Sequence, residues 1–177
     1  MPAGIRSKTL DNVFSGQVPK RIIVGLVGNN AFNGAFKRNP FNIQDFGTNY
    51  FSLYVDGEQI PSKPLQPNYE DGNEKSVLAY HTLFSGTGIH FSDTGHTMHR
   101  GEYSDGFCLM AFDLTPDLSA SETSYWNLVR NGNVRIELGF AKELEQTVNC
   151  LVYAEFDNVI EIDRFRNVTT DYGNVGV

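Results

Sequence analysis

Basic residues are scarce in this chain: 14 Lys and Arg stand against 21 Asp and Glu among 177 residues, a formal net charge of -7. A phosphate backbone or an anionic lipid surface meets no overall attraction, so direct nucleic-acid binding is not expected. Long hydrophobic runs are missing too. No segment approaches the roughly 18 apolar residues of a membrane span, and Met1-Pro2-Ala3-Gly4-Ile5-Arg6 lacks the apolar core of a signal peptide. These absences predict a soluble protein made inside the cell. The two cysteines, Cys108 and Cys150, are too few for a disulfide framework. Both fall in predicted strands, where a small buried free thiol is the usual occupant, and a bridge would require those strands to be neighbours. No internal repeat, low-complexity tract, Gly-x-Ser-x-Gly elbow or Cys-x-x-Cys pair occurs. Asn167-Val168-Thr169 matches a glycosylation sequon, but nothing else points to secretion and the match carries no weight.

What is present is β-pattern. From Val134 to Phe140 apolar residues alternate with polar or small ones, which puts Val134, Ile136, Leu138 and Phe140 on one face and Arg135 and Glu137 on the other. Residues 49–56 repeat the alternation with Phe51, Leu53 and Val55, and Asp56-Gly57 supplies a tight hairpin turn. Arg21 to Val27 reads as a strand buried on both sides, and Phe107 to Phe112 as a central one. Eight strands are predicted: 9–14, 20–27, 48–56, 58–62, 104–114, 133–140, 147–156 and 158–163. Pro61, Pro64 and Pro67 keep the fourth from being a long central strand. A short amphipathic helix is expected over 76–84, packing through Val77, Tyr80, Leu83 and Phe84 and ended by Gly86, with a turn of helix around Tyr125, Trp126 and Leu128. Residues 68–75 read as a mobile tip, 92–106 as a polar loop, and 167–177 as a polar tail. The expectation is one all-β domain over 1–177 with its core at about 8–166: an eight-stranded antiparallel jelly-roll sandwich with one or two short helical insertions, an immunoglobulin-like sandwich being the alternative by strand count.

The search for chemistry starts with His90, His96, His99 and Glu102, since jelly rolls host metal enzymes. A barrel site needs two histidines two apart on one strand. His96 and His99 are three apart in loop-like surroundings, so a solvated loop is the better reading. His81 on the helix reads as a surface histidine. Ser85-Gly86-Thr87-Gly88 lacks the Lys-Ser/Thr of a phosphate loop, and Asp113 and Asp117 flank Pro116 as in a turn, which outweighs a paired-carboxylate reading with Glu122. No catalytic residue, cofactor or metal is assigned. Residues 28–47 are different: turn chemistry carries Phe32, Phe36, Phe41 and Phe46, which is too aromatic for a floppy linker. These four are the candidate interface, against the alternative that they cap the open end of the sandwich.

Seven ordered phrases carry a resemblance: Gly16-Gln17-Val18-Pro19-Lys20-Arg21, Asn39-Pro40-Phe41-Asn42, Ser52-Leu53-Tyr54-Val55-Asp56-Gly57, Ile60-Pro61-Ser62-Lys63-Pro64-Leu65, Tyr80-His81-Thr82-Leu83-Phe84, Ala111-Phe112-Asp113-Leu114-Thr115-Pro116-Asp117 and Val152-Tyr153-Ala154-Glu155-Phe156-Asp157. Together, over roughly residues 8 to 166, the chain resembles the C-terminal part of the major capsid protein of Polinton (Maverick) transposons and adintoviruses. That resemblance implies a non-catalytic shell protein found in a virion or virus-like particle. Its partners would be copies of itself, as a trimer or larger assembly, and a preceding jelly roll. It also implies that Pro40, Pro61, Pro64 and Pro116 shape loops and strand ends. A family member carries another jelly roll first, whereas this chain starts almost at once with the second, as an excised domain or a stand-alone descendant. The reading from a different class is a binding module for a carbohydrate or protein, with 68–75 and 92–106 as its rim.

Overall fold

The computed structural model describes residues 1–69, 76–93, 95–122 and 126–170, without the side chain of Phe91. In chain order the elements are β1 (Ser7–Gln17), β2 (Arg21–Gly28), α1 (Asn29–Phe32), β3 (Ile43–Gln44), β4 (Thr48–Val55), β5 (Glu58–Leu65), α2 (Val77–Thr87), a 3-10 turn (Ile89–Phe91), α3 (Arg100–Tyr103), β6 (Asp105–Gly106), β7 (Leu109–Asp113), β8 (Asn131–Phe140), β9 (Val148–Glu155), β10 (Ile160–Ile162) and β11 (Val168–Thr170). Each of the eight predicted segments holds strand, 104–114 being divided into β6 and β7. Two short strands, β3 and β11, join them.

The strands form a four-stranded sheet in the order β1-β8-β4-β5 and a three-stranded sheet in the order β7-β2-β9, every pairing antiparallel. The chain crosses between the sheets again and again, so their inner faces make one core. Val134, Ile136, Leu138 and Phe140 of β8 and Phe51, Leu53 and Val55 of β4 are all buried, as the alternation requires. Facing them are Ile22, Val24 and Leu26 of β2, Met110 and Phe112 of β7, and Val148 of β9. Phe51 stacks on Phe112 with ring centres 5.2 Å apart, pinning one sheet to the other. The protein is therefore a mostly antiparallel β-sandwich with few helices.

Helix α2 packs on β7 through a face that is only partly the expected one: Leu83 is buried and Tyr80 packs against the core, as expected. Its buried residues are Ala79, Thr82, Leu83 and Gly86, while Val77 is exposed. The reason is backbone proximity: a Cβ on Gly86 would overlap the carbonyl of Ala111, so only small residues fit this contact. Gly86 therefore lies inside the helix, and Gly88, in the left-handed conformation at φ 74°, ends it. Other expectations are corrected as well. The segment 92–106 is not simply a polar loop, because it holds α3 and the core residue Tyr103, whose hydroxyl donates to the Leu109 carbonyl at 2.8 Å. Residues 126–130 form no helix; Tyr125 lies outside the described residues, as do 70–75 of the expected tip. Within the expected tail, 168–170 is β11, paired with β10; residues 171–177 are not described. Strand β5 runs through Pro61 and Pro64 to Leu65, which its position at a sheet edge tolerates.

Candidate functional site

The loop between β2 and β4 carries the expected aromatics, and the structure divides them. Phe46, held at φ 49°, is half-buried and packs against the core. The other three face solvent, with exposures of 55% for Phe32, 101% for Phe36 and 80% for Phe41. They are displayed by ordered backbone. Helix α1 continues directly from β2; the Ala35 amide donates to the Asn30 carbonyl at 3.1 Å, and the Phe41 amide donates to Asn39 Oδ1 at 3.0 Å. Ile43 pairs with Gly106, tying the loop's far end to β6. Three exposed phenylalanines on such a loop have an apolar surface to cover.

A second apolar set, which the sequence reading missed, lies at the opposite end of the sandwich. Leu118, Trp126, Leu128 and Val129 are exposed there, and the hairpin β10–β11, which follows the last residue of β9 at that end, exposes Ile160, Ile162, Phe165 and Val168. A two-stranded hairpin without a covered face is marginal alone in water. Its turn compensates locally. Asp163 Oδ1 accepts the amides of Phe165 at 2.7 Å and Asn167 at 2.8 Å, and Oδ2 accepts Asn167 Nδ2 at 2.7 Å. These bonds, the side-chain bond from Asn167 first, hold the Asp163 pKa below the ordinary carboxylate value. The same alternation that marks a half-buried strand marked 158–163, so the sequence could have raised it as an interface.

At the root of that end, Lys20 Nζ lies 3.2 Å from Glu155 and 3.0 Å from Asp157, and Arg21 bonds Glu155 at 2.9 Å and the Gly86 carbonyl at 2.8 Å. Desolvation is the largest influence on Lys20 and lowers its pKa, but the hydrogen bonds and charges of Asp157 and Glu155 together outweigh it, and the net shift is upward.

The chemical candidates disperse. His90 Nδ1 lies 2.8 Å from the Phe84 carbonyl, the His96 ring packs on Tyr80 and Phe84, and His99 with Glu102 caps α3. Among the described residues, no group of three or more His, Cys, Asp or Glu is placed to hold a metal ion. Asp113 is buried in its turn: Oδ1 accepts the Thr115 amide at 2.9 Å and the Thr115 hydroxyl at 2.6 Å, and Oδ2 accepts the Ala120 amide at 2.9 Å. Cys108 and Cys150 are free thiols, each pushed up to about 11, by burial above all. No helix among the described residues is long and apolar enough to cross a membrane. An open cleft of about 580 Å³ lies between Asp45, Thr48, Asn49, Gln66, Asn68 and Tyr69.

No protein-family model and no solved structure matches the chain. An uncharacterized protein of Caenorhabditis elegans is 32% identical over 172 residues, a match that covers 91% of this chain and 38% of the nematode protein. The chain thus spans well under half the length of that relative.

Proposed function

We propose that this protein is a shell-building domain: a jelly roll that self-associates, as a trimer or larger closed assembly, into the capsomers of a virus-like particle, without catalysis. The reading draws on the Polinton and adintovirus resemblance. The observation that carries it is the display of apolar side chains at both ends of the sandwich, Phe32, Phe36 and Phe41 at one and Trp126, Leu128, Ile162 and Phe165 at the other. A module that binds one ligand needs one apolar rim. A protein that contacts several neighbours needs several, and symmetry multiplies a modest contact into a stable shell.

The test is solution mass by light scattering across a concentration series, with electron microscopy of any large fraction. A trimer or a larger closed species is the expected result. A strict monomer at millimolar concentration would sink self-assembly by this chain.

The open cleft beside Asn68 and Tyr69, with polar and apolar surface side by side, favours the second reading, a carbohydrate- or protein-binding jelly roll. Glycan-array binding that is lost in Asn49→Ala and Gln66→Ala variants, by a monomeric protein, would put that reading first.

A further inference from the structure

Four strands form the edges of the two sheets, and three of them are guarded. The outer edge of β7 is covered by α2 and α3: the Ala111 amide donates to Thr82 Oγ1 at 3.1 Å, and the Leu109 carbonyl accepts the Tyr103 hydroxyl. Strand β5 carries Pro61 and Pro64. The register of β1 on β8 shifts between Leu10 and Phe14, with Asn12 at φ 54°. Proline, irregular register and a covering helix are the devices by which proteins stop an edge from pairing with another strand. Strand β9 has none of them. It follows β2 in unbroken register from Val148 to Glu155, and its sequence, Val-Asn-Cys-Leu-Val-Tyr-Ala-Glu, contains no proline, glycine or lysine.

The direction of its free groups can be read twice. The Asn29 amide donates to the Thr147 carbonyl, so by alternation residues 149, 151, 153 and 155 turn their backbone groups toward β2, and 148, 150, 152 and 154 turn theirs away. Independently, the Met1 nitrogen donates to the Val148 carbonyl at 2.8 Å and the Val148 amide donates to the Met1 carbonyl at 2.9 Å. That reciprocal pair is the first rung of an antiparallel ladder on the outer edge of β9. Cys150, Val152 and Ala154 hold the next rungs, and on that outer edge no strand among the described residues pairs with them. Their side chains face inward and stay only partly buried, whereas Val148, beside Met1, is fully buried.

We infer that the β9 edge is the docking site for one more strand, running antiparallel to β9 and joined in line to the amino side of Met1 in a longer polypeptide. The first rung sets both register and direction. Each residue back from Met1 advances one along β9, so six residues lead from Val148 to Ala154, a span of about 20 Å. The strand carries apolar side chains at the positions opposite Cys150, Val152 and Ala154, covers the half-buried side of the core, and makes the three-stranded sheet equal to its four-stranded partner. The nematode relative is longer than the matched region, which is 38% of its length. The inference goes beyond the shell reading and survives its failure, because it concerns how the sandwich is completed and not what the completed sandwich does.

The experiment compares three proteins by residue-resolved amide hydrogen exchange: the 177-residue chain, the same chain with eight alternating Val and Thr residues ahead of Met1, and a Gly-Ser extension of equal length. In the unextended chain at low concentration, the amides of Cys150, Val152 and Ala154 exchange freely while those of Asn149, Leu151 and Tyr153 are protected. The Val-Thr extension slows the first three by about tenfold or more, and the Gly-Ser extension does not. Three results overturn the inference: protection of those amides in the dilute unextended chain; protection that appears only as its concentration rises, which would give the edge to a second copy; and free exchange in the Val-Thr protein. Light scattering on the same samples reads the shell hypothesis separately.

Discussion

Gly86 is a residue at which helix propensity and packing pull in opposite directions. In the interior of an exposed helix, replacing glycine by alanine stabilises by about 1 kcal/mol. Here the added methyl would overlap the backbone of Ala111, which belongs to a sheet and cannot move aside. Gly86→Ala should therefore destabilise the protein by about 1–3 kcal/mol, the usual range for overpacking, as read from the urea midpoint. A stabilised variant would mean that α2 does not sit where the structure puts it. Asp113 offers a second residue-scale test. Both of its oxygens accept from buried donors, and an asparagine side chain in its place would turn an NH2 group toward one of those donors. Asp113→Asn should cost about 1–3 kcal/mol in the same measurement, whereas Asp117→Asn, in an exposed position, should cost much less. The sequence identified Asp113 as a turn residue from the Pro116 nearby. That it closes the turn onto Ala120 depends on contacts seven residues away, which no local pattern carries.

At the scale of elements, what the sequence made legible is what periodicity encodes. β4 and β8 alternate because one face of each is core; the apolar residues expected inside are all buried, but in β4 so are Thr48 and Ser52, the latter expected on the polar side. In helix α2 the pattern identifies Leu83 and Tyr80 but not Ala79 and Gly86, nor the end at Gly88, since the closest contact selects for smallness and not for hydrophobicity. Strands β3 and β6 are two residues each and exist only through mutual pairing, so nothing in either segment alone announces them. The turn of the hairpin β10–β11 is held by a titratable group. Asp163 has a folded pKa below its unfolded value of 3.8, so its bonds contribute fully above pH 3.8 and are lost as the pH falls through the lower folded value. Over an acid titration that starts well above 3.8, the amides of Ile160, Ile162 and Val168 should shift together, by two-dimensional NMR, with an apparent midpoint under 3.8. A midpoint at or above 3.8 would show that Asp163 does not hold the turn. Lys20 works in the opposite direction: its folded pKa is raised above 10.5, so its contribution is complete below 10.5 and lost as the pH rises through the folded value. The loss should be smaller in Asp157→Asn, and equal unfolding midpoints for the two proteins across an alkaline series spanning 10.5 would count against the pairing.

For the whole molecule, the question is which end makes the contacts. β2 runs the length of the sandwich, about 26 Å for eight residues, with α1 and the exposed phenylalanines following its last residue and Lys20 with the hairpin root preceding its first. Changes at one end are therefore too far from the other to couple through packing, and their effects on assembly should separate cleanly. The aromatic composition of 28–47 was visible in the sequence, but not the division that sends Phe46 inward and leaves Phe32, Phe36 and Phe41 outside, which depends on where β3 docks. If the proposed shell forms through the aromatic loop, the Phe32→Ser, Phe36→Ser, Phe41→Ser triple variant should move the mass in light scattering toward the monomer, with a urea midpoint unchanged within error, because none of the three side chains is buried in the single chain. If the opposite end makes the contact, the variant with Ile162→Thr and Phe165→Ser should produce that change instead. Partial loss in each, and a strict monomer only when the two sets are combined, is the outcome expected if each end makes its own contact with a different neighbour. Full assembly in the combined variant would remove both ends from consideration and leave the proposal without its carrying observation.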